Sequence, residues 1–266
     1  MLVVAERINS TRKRILPAVE SRDVEFIQDE ARKQAEAGAN YIDCNASAVG
    51  VNAEPDALVW TVETVQAAVD LPCALDSPSP DAIEAALKVH RGTPMINSIT
   101  AESDKLESLL PIVAEHKAAV VALCMGDEGI AAGAEDRLEA GRVVIGALLD
   151  AGVEPDLIYA DPLVFPIGTD SNAGLAVLEL IVGLKKEFEG INTICGLSNV
   201  SFGLPLRKLV NQAFMVLTMG AGLDGVIVDP LDEKLMSLVY ATDALLGNDE
   251  FCMEYIKASR AEKLVA

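Results

Sequence analysis

The sequence lacks the features of a membrane protein or a nucleic-acid-binding protein. No apolar run reaches the roughly 18 to 20 residues that a membrane-spanning helix needs. Lysine and arginine total 21 against 41 acidic residues, which gives a net charge of −20. Nucleic acid is therefore not an expected partner, because its binding needs clustered positive charge. The first residues, MLVVAERINS, show no signal-peptide pattern, so we expect a cytoplasmic protein.

Metal-binding and common catalytic motifs are also missing. The 5 cysteines form no CxxC pair and have no histidine close by in the sequence, so we expect no metal site. The 2 histidines, His90 and His116, lie near the ends of helical stretches and are interpreted as structural. There is no GxSxG, HExxH, GxGxxG or GxxxxGK[ST] motif. Paired carboxylates could serve a glycosidase, but aromatic residues form only 4% of the chain, and sugar sites usually have stacking rings.

What the sequence does contain is a regular alternation of apolar strand-like runs and amphipathic helical runs. This alternation, without a linker, predicts one α/β domain over residues 1–266: a closed (β/α)8 TIM barrel with an extra C-terminal helix. An open doubly wound sheet is the alternative, but it usually brings a phosphate loop. Strands are predicted at 2–5, 41–44, 73–75, 95–96, 120–125, 157–160, 193–197 and 225–228. Helices are predicted at 23–38, 55–69, 79–90, 102–117, 135–151, 171–188, 205–221, 232–247 and 249–263.

Short polar side chains follow almost every predicted strand, where barrel enzymes place their active sites. Singly, Asp43, Asn45 and Asp229 are best interpreted as helix caps. Together, a ring of carboxylates and amides favours a polar ligand, such as a flat heterocycle rich in N–H donors. The ring comprises Glu6, Arg7, Asn9, Asp43, Asn45, Asp76, Ser77, Asn97, Ser98, Asp161, Ser198, Asn199 and Asp229.

One loop is especially rich in small polar residues. The segment TICGLSNVSFG, Thr193–Gly203, begins as a buried strand and continues into glycine, serine and asparagine. Such strand-to-helix loops bring backbone and short side chains close to a ligand, although any connecting loop favours the same residues. Pro205 is predicted to lie in the first turn of the following helix.

Six segments together resemble the pterin-binding methyltransferase family. They are VVAERINST, CALDSPS, MINSIT, YADPLVFPIG, GLSNVSFGLP and GLDGVIVDP, in this order. This family includes methyltetrahydrofolate:corrinoid protein methyltransferases and the folate domain of cobalamin-dependent methionine synthase, and it is related to dihydropteroate synthase. The resemblance spans essentially the whole chain.

The resemblance implies a role for each of several residues. Asp76, Asn97 and Asp161 would hold the pterin ring. Asn199 would lie beside N5 as the catalytic residue, with Gly196 and Ser198 on the same wall. Glu6 and Arg207 match positions close to the folate, and Phe202 replaces a glutamine of the family, so the hydrogen bonds there must differ.

The activity implied is transfer of a methyl group between N5 of tetrahydrofolate or 5-methyltetrahydrofolate and the cobalt of a corrinoid (cobalamin) on a partner protein. A homodimer is expected from the same resemblance and from the apolar outer helices. A dihydropteroate-synthase-like enzyme is the alternative, although Ser198-Asn199-Val200 stands where synthases have a lysine that serves the diphosphate leaving group. A barrel that only binds, with no chemistry, is the third possibility.

Overall fold

Eight parallel strands close into a barrel in the order β1 to β8, which confirms the predicted TIM barrel and excludes the open sheet. The computed structural model describes residues 1–129 and 133–266. All eight strands were predicted, and β1 and β4 extend four residues further than expected. The strands are β1 Leu2–Asn9, β2 Tyr41–Asn45, β3 Cys73–Asp76, β4 Met95–Thr100, β5 Ala119–Leu123, β6 Ile158–Asp161, β7 Asn192–Gly196 and β8 Gly225–Val228.

The helices surround the barrel, and the predicted C-terminal helix is present as α10. One short helix, α1, was not predicted, because it is only 6 residues long, contains Pro17 and has no capping side chain. The helices are α1 Ile15–Glu20, α2 Val24–Glu36, α3 Glu54–Gln66, α4 Pro80–Leu87, α5 Ser103–His116, α6 Ala134–Asp150, α7 Ala173–Glu187, α8 Arg207–Gly220, α9 Glu233–Leu245 and α10 Met253–Arg260. Across the described ranges, no helix combines the length and apolarity that membrane crossing requires.

The prediction that Pro205 lies in a first helical turn is wrong. α8 begins at Arg207, because Leu206 adopts a left-handed backbone conformation with φ of 50° and so breaks the helix before it. Pro55 and Pro80 do lie in first turns, where proline loses no helical hydrogen bond.

Two apolar layers form the core. The outer layer packs the strands against the helices and contains most of the buried aliphatic side chains. The second is a small cluster inside the barrel that includes Val4, Ala74, Met95, Val121 and Ile194. Side chains alternate along a strand, so the residue two positions later points to the same side. The barrel interior therefore changes from apolar to polar towards the carboxyl ends of the strands.

Candidate active site

Four neighbouring strands bring polar residues to one level of the barrel mouth. Asn9, Asn45, Asp76 and Asn97 are successive partners in the register of β1 to β4. Asn9 Nδ2 donates to Asp76 Oδ2 at 3.3 Å, and Asn97 Nδ2 donates to Asp43 Oδ1 at 3.1 Å. Two of the predicted ring-binding residues, Asp76 and Asn97, are therefore side by side.

Asp161, the third predicted ring-binding residue, ends β6 and is 6% exposed. Its Oδ1 accepts from the backbone N–H of Leu163 at 2.7 Å, and the backbone N–H of Gly196 also donates to it. Burial raises the pKa of Asp161 to about 7, although both N–H donors favour the ionised form. The carboxyl group is thus fixed in position and holds its proton more tightly than a solvated aspartate does.

The side chain of Arg137 holds the loop that follows Asp161. This arginine, on α6, is 1% exposed. Its Nη1 donates to the backbone carbonyls of Pro162 at 3.1 Å and Leu163 at 2.9 Å. In the same loop, the backbone N–H of Ile167 donates to the carbonyl of Val200 at 3.0 Å. The loops after β6 and β7 are therefore tied together.

The loop after β7 presents Asn199 to solvent. A short 3-10 turn spans Leu197–Ser201, and Asn199 is exposed within it. Within the described residues, its side-chain amide has no hydrogen-bond partner in the chain. Its Nδ2 lies 3.4 Å from where a Cβ on Gly196 would stand, so an alanine at that position would be in van der Waals contact with the amide. The amide is left available to a ligand.

Arg207 braces this loop from the start of α8. Its Nε donates to Ser201 Oγ at 3.0 Å, and its Nη2 donates to the Ser198 carbonyl at 2.7 Å. The guanidinium group also lies 5.8 Å from the centre of the Phe202 ring, which is itself 66% exposed. The predicted residues Ser198, Phe202 and Arg207 are thus in one hydrogen-bonded and stacked unit.

Glu6 lies on β1, beside the carboxyl end of β8. Burial raises its pKa, and the nearby charge of Arg12 opposes that effect. Arg12 Nη2 lies 2.8 Å from Glu6 Oε1 and forms an ion pair with it. Glu6 and Ser198 both line a cavity of about 260 Å³ between β1, β8 and the start of α8.

The prediction that Asp43, Asn45 and Asp229 cap helices is wrong. The caps of α3 and α9 are Ala53 and Asp232. Asp43 is buried within β2 and bound to Asn97, whereas Asp229 is paired with Arg7 at 2.9 Å. Asn45 accepts from Ser10 and Ser47, which fixes the turn after β2. These residues belong to the hydrogen-bonded lining of the mouth.

A buried pair beneath Asp76 was not predicted from the sequence. Glu54 in the first turn of α3 is 2% exposed, and its Oε1 accepts from Ser77 Oγ at 2.5 Å. The pKa of Asp76 is raised to about 6, mainly by burial and also by the charge of Glu54, while the nearby Asn45 acts in the opposite direction. Acidic residues are common in first helical turns, so the sequence gives no sign that this one points inward.

We expect Glu54→Ala to destabilise the protein by about 1 to 3 kcal/mol, because it leaves the Ser77 hydroxyl buried without its acceptor. Glu54→Gln keeps an acceptor oxygen and should cost less. Urea unfolding of Glu54→Ala, Ser77→Ala and the double variant measures the coupling. Strictly additive losses in the double variant would show that the two side chains do not stabilise each other.

The pKa values of Asp161 and Asp76 predict a pH-dependent stability. Both carboxyls have a folded pKa, about 7 and about 6, above the usual 3.8, so the folded state binds more protons than the unfolded state between those values. The contribution of these two groups to the free energy of unfolding is then largest below pH about 4, and it is lost as the pH rises through their folded pKa values. We expect wild type to lose more stability between pH 5.5 and 7.5 than Asp161→Asn, measured by urea unfolding. Equal losses in the two proteins would contradict the raised pKa of Asp161.

The cysteines that the structure describes are all free thiols. Cys44, Cys73, Cys124 and Cys195 are buried free thiols, and Cys252 is an exposed one. Among residues 1–129 and 133–266, no three His, Cys, Asp or Glu side chains are grouped closely enough to hold a metal ion.

A barrel whose strand ends converge on carboxylates and amides agrees with the family to which the sequence is assigned. The family model described as pterin binding enzyme matches residues 5–229, and the chain belongs to that family. A methylcorrinoid:tetrahydrofolate methyltransferase of Eubacterium limosum is 36% identical over 267 residues, which cover 99% of this chain and 98% of that protein.

Two further comparisons place the chain among more distant proteins. The methionine synthase of Mycobacterium leprae is 32% identical over 243 residues, covering 86% of this chain but 20% of that protein. The structure of Xanthomonas albilineans dihydropteroate synthase, in complex with indole-2-carboxylic acid and 6-chloroguanine, superimposes with a TM-score of 0.71 at 20% identity. It covers 94% of this chain and 93% of that one. At this identity the structural likeness shows the shared fold alone.

Proposed function

We propose that this chain transfers a methyl group between N5 of tetrahydrofolate and the cobalt of a corrinoid carried by a partner protein. The observation that carries the proposal is the 36% identity, over nearly the full length of both chains, with a methylcorrinoid:tetrahydrofolate methyltransferase. That name gives the methylcorrinoid as donor, and we extend this direction to the present chain. Residues 1–266 would act as one pterin-binding domain in the cytoplasm.

In this proposal, Asp76, Asn97 and Asp161 hold the pterin ring. A 2-amino-4-oxo pyrimidine ring presents adjacent N–H donors, which suit carboxylate acceptors, and an amide can satisfy a neighbouring donor and acceptor pair. The contacts in the structure support this arrangement, because Asp76 and Asn97 are adjacent in register and Asp161 accepts from backbone N–H donors. The N–H donors of a bound ring would favour the ionised form of Asp161, against the rise in its pKa that burial causes.

Asn199 would lie beside N5, with Gly196 and Ser198 on the same wall, and Glu6, Phe202 and Arg207 near the rest of the folate. When the methyl group moves from cobalt to N5, a new N–C bond forms, the electron pair of the Co–C bond stays on cobalt, and N5 releases its proton to solvent at the open mouth. In the reverse direction, N5 must gain positive character, because a tertiary amine is a poor leaving group. An amide can accept from the N5–H of tetrahydrofolate and can donate to the N5 lone pair of 5-methyltetrahydrofolate.

The open side of the site suits a large second substrate. The amide of Asn199 is exposed at the mouth, and no protein nucleophile is needed for direct transfer. A corrinoid protein could therefore present its cobalt directly above N5. Neither nucleic acid nor membrane is a proposed partner of this acidic surface.

Two assays separate the methyltransferase from the dihydropteroate-synthase-like alternative. We expect calorimetry to show tetrahydrofolate binding that is unaffected by EDTA, and steady-state assays to show methyl transfer from methylcobalamin. With a hydroxymethyl-dihydropterin diphosphate and p-aminobenzoate, we expect no release of diphosphate. Diphosphate release without methyl transfer would establish the synthase instead, and no binding of any folate would favour a barrel without this chemistry.

We further propose a homodimer formed through α7 and α8. An apolar groove of about 410 Å³ lies between these helices, and Leu175, Leu209 and Leu217 are 60%, 65% and 56% exposed there. Contiguous exposed apolar side chains of this kind are typical of protein interfaces. Sedimentation at micromolar concentration should give a dimer, and Leu209→Glu combined with Leu217→Glu should give a monomer. Leu245→Glu, at a residue 85% exposed on α9, is the matched control. A monomeric wild type would contradict the proposal.

A further inference from the structure

A short basic segment stands out in this acidic chain. Arg12, Lys13 and Arg14 are consecutive residues in a protein of net charge −20. They lie between the carboxyl end of β1 and the start of α1, so they are at the barrel mouth and on the same side as Glu6. Concentrated positive charge at this position is unexpected for a surface that is otherwise acidic.

The cations of this segment differ in their partners. Arg12 forms one ion pair with Glu6 at 2.8 Å and a longer one with Asp229 at 3.9 Å. Among residues 1–129 and 133–266, neither Lys13 nor Arg14 has a carboxylate within ion-pair distance. Arg14 lies 5.4 Å from the centre of the Phe26 ring, and both residues are exposed. Two positive charges are therefore available for a ligand.

These residues line a cavity of their own beside the mouth. It has a volume of about 420 Å³ and is bordered by the basic segment, by Arg7, and by Phe26 and Glu30 of α2. Arg7 also lines the 260 Å³ cavity that contains Glu6 and Ser198. Arg7, which is ion-paired with Glu30 and Asp229, is therefore common to the two linings, and an extended molecule that passes Arg7 would reach from the mouth into the basic cavity.

We propose that this basic cavity binds the glutamyl carboxylates of tetrahydrofolate and favours folates that carry more than one glutamate. The inference rests on the proposed function, because it concerns the tail of the same substrate. Each added glutamate brings a negative charge, which a chain of net charge −20 would repel unless positive charges lay along its path. The ion pair between Arg12 and Glu6 connects the basic segment to a residue that we place near the folate.

The experiment compares tetrahydrofolate monoglutamate and triglutamate by calorimetry. Three proteins are used: wild type, the double variant that carries Lys13→Gln and Arg14→Gln, and a control double variant that carries Lys186→Gln and Arg260→Gln. The control pair removes the same two charges from the last turns of α7 and α10, where both residues are exposed. Wild type and control should each bind the triglutamate on the order of tenfold more tightly than the monoglutamate, because two exposed charge pairs contribute about that much to affinity. Lys13→Gln with Arg14→Gln should reduce that preference to about twofold or less, and raising the salt should weaken the preference in wild type.

Each other outcome has a distinct meaning. Equal binding of the two folates by wild type, or a preference that survives in Lys13→Gln with Arg14→Gln, would overturn the tail site and leave the methyltransferase proposal intact. A higher KM for free methylcobalamin in that variant, with unchanged folate affinities, would assign the cations to an anionic group of the corrinoid and would also overturn it. Failure of wild type to bind the monoglutamate would instead contradict the proposed function itself.

Discussion

Replacing Asn199 by alanine should lower the rate of methyl transfer by about 10- to 1000-fold, the range for loss of one preorganised hydrogen-bonding group. Folate affinity should change much less, because Asp76, Asn97 and Asp161 would still hold the ring. The effect would then belong to the transition state more than to the ground state. Single-turnover transfer with free cobalamin, measured beside folate affinity, tests this.

The surroundings of Asn199 support a role in the reaction over a role in the fold. Its side-chain amide has no partner in the described chain, and α8 begins only at Arg207, with Leu206 as its cap. A capping role, in which its loss would cost about 1 kcal/mol of stability, therefore has no support in the contacts. The turn itself is held by Arg207 through Ser198 and Ser201.

The control for Asn199→Ala is Asn172→Ala, an exposed asparagine at the start of α7 that makes no side-chain capping bond. We expect both variants to melt at nearly the wild-type temperature and only Asn199→Ala to lose rate. A normal rate together with a lowered melting temperature would end the catalytic interpretation of Asn199.

The second large effect is expected at the carboxylates that would hold the ring. Asp161→Ala and Asp76→Ala should each weaken tetrahydrofolate binding by about 1 to 3 kcal/mol, or roughly 5- to 150-fold, because each leaves buried N–H donors of the ligand without an acceptor. Asp161→Ala should have the larger effect, since Asp161 is 6% exposed whereas Asp76 is only partly buried. Calorimetry on folded variants measures both.

The matched control is a carboxylate that lies outside the predicted ring. Asp249, which follows the end of α9, accepts from the backbone N–H groups of Glu254 and Tyr255. Alanine at this position should leave folate affinity unchanged, whatever it does to stability. Wild-type affinity in a folded Asp161→Ala would place the ring elsewhere.

The sequence pattern was sufficient to predict the barrel and the level of its polar residues. Several strands carry an apolar residue inside the barrel and a polar one two positions later, as in Ala74 and Asp76 of β3 or Met95 and Asn97 of β4. Period-two alternation places both residues of a pair on the same side, so their order along the strand fixes which end of the barrel is polar. This is why Asp76 and Asn97 could be placed together without a structure.

Other features depend on contacts that no local pattern encodes. Asp43 and Asp229 were predicted to be caps because aspartate before a helix usually is one, but closure of the barrel brings them to Asn97 and Arg7. The burial of Glu54 against Ser77 depends on the way α3 packs on β3. Leu206 interrupts its helix in a left-handed conformation that leucine rarely adopts, so the sequence favoured an earlier start.

An isotopic label in the methyl group tests directly whether the protein transfers it from cobalt to N5 of tetrahydrofolate. Methylcobalamin labelled with 13C in its methyl group is mixed with tetrahydrofolate and excess protein, and the folate product is analysed by NMR. We predict that the label appears on N5 at a rate that depends on the protein and that falls in Asn199→Ala. No labelled folate above the level of the protein-free mixture, or equal label with wild type and Asn199→Ala, would contradict this account of the site.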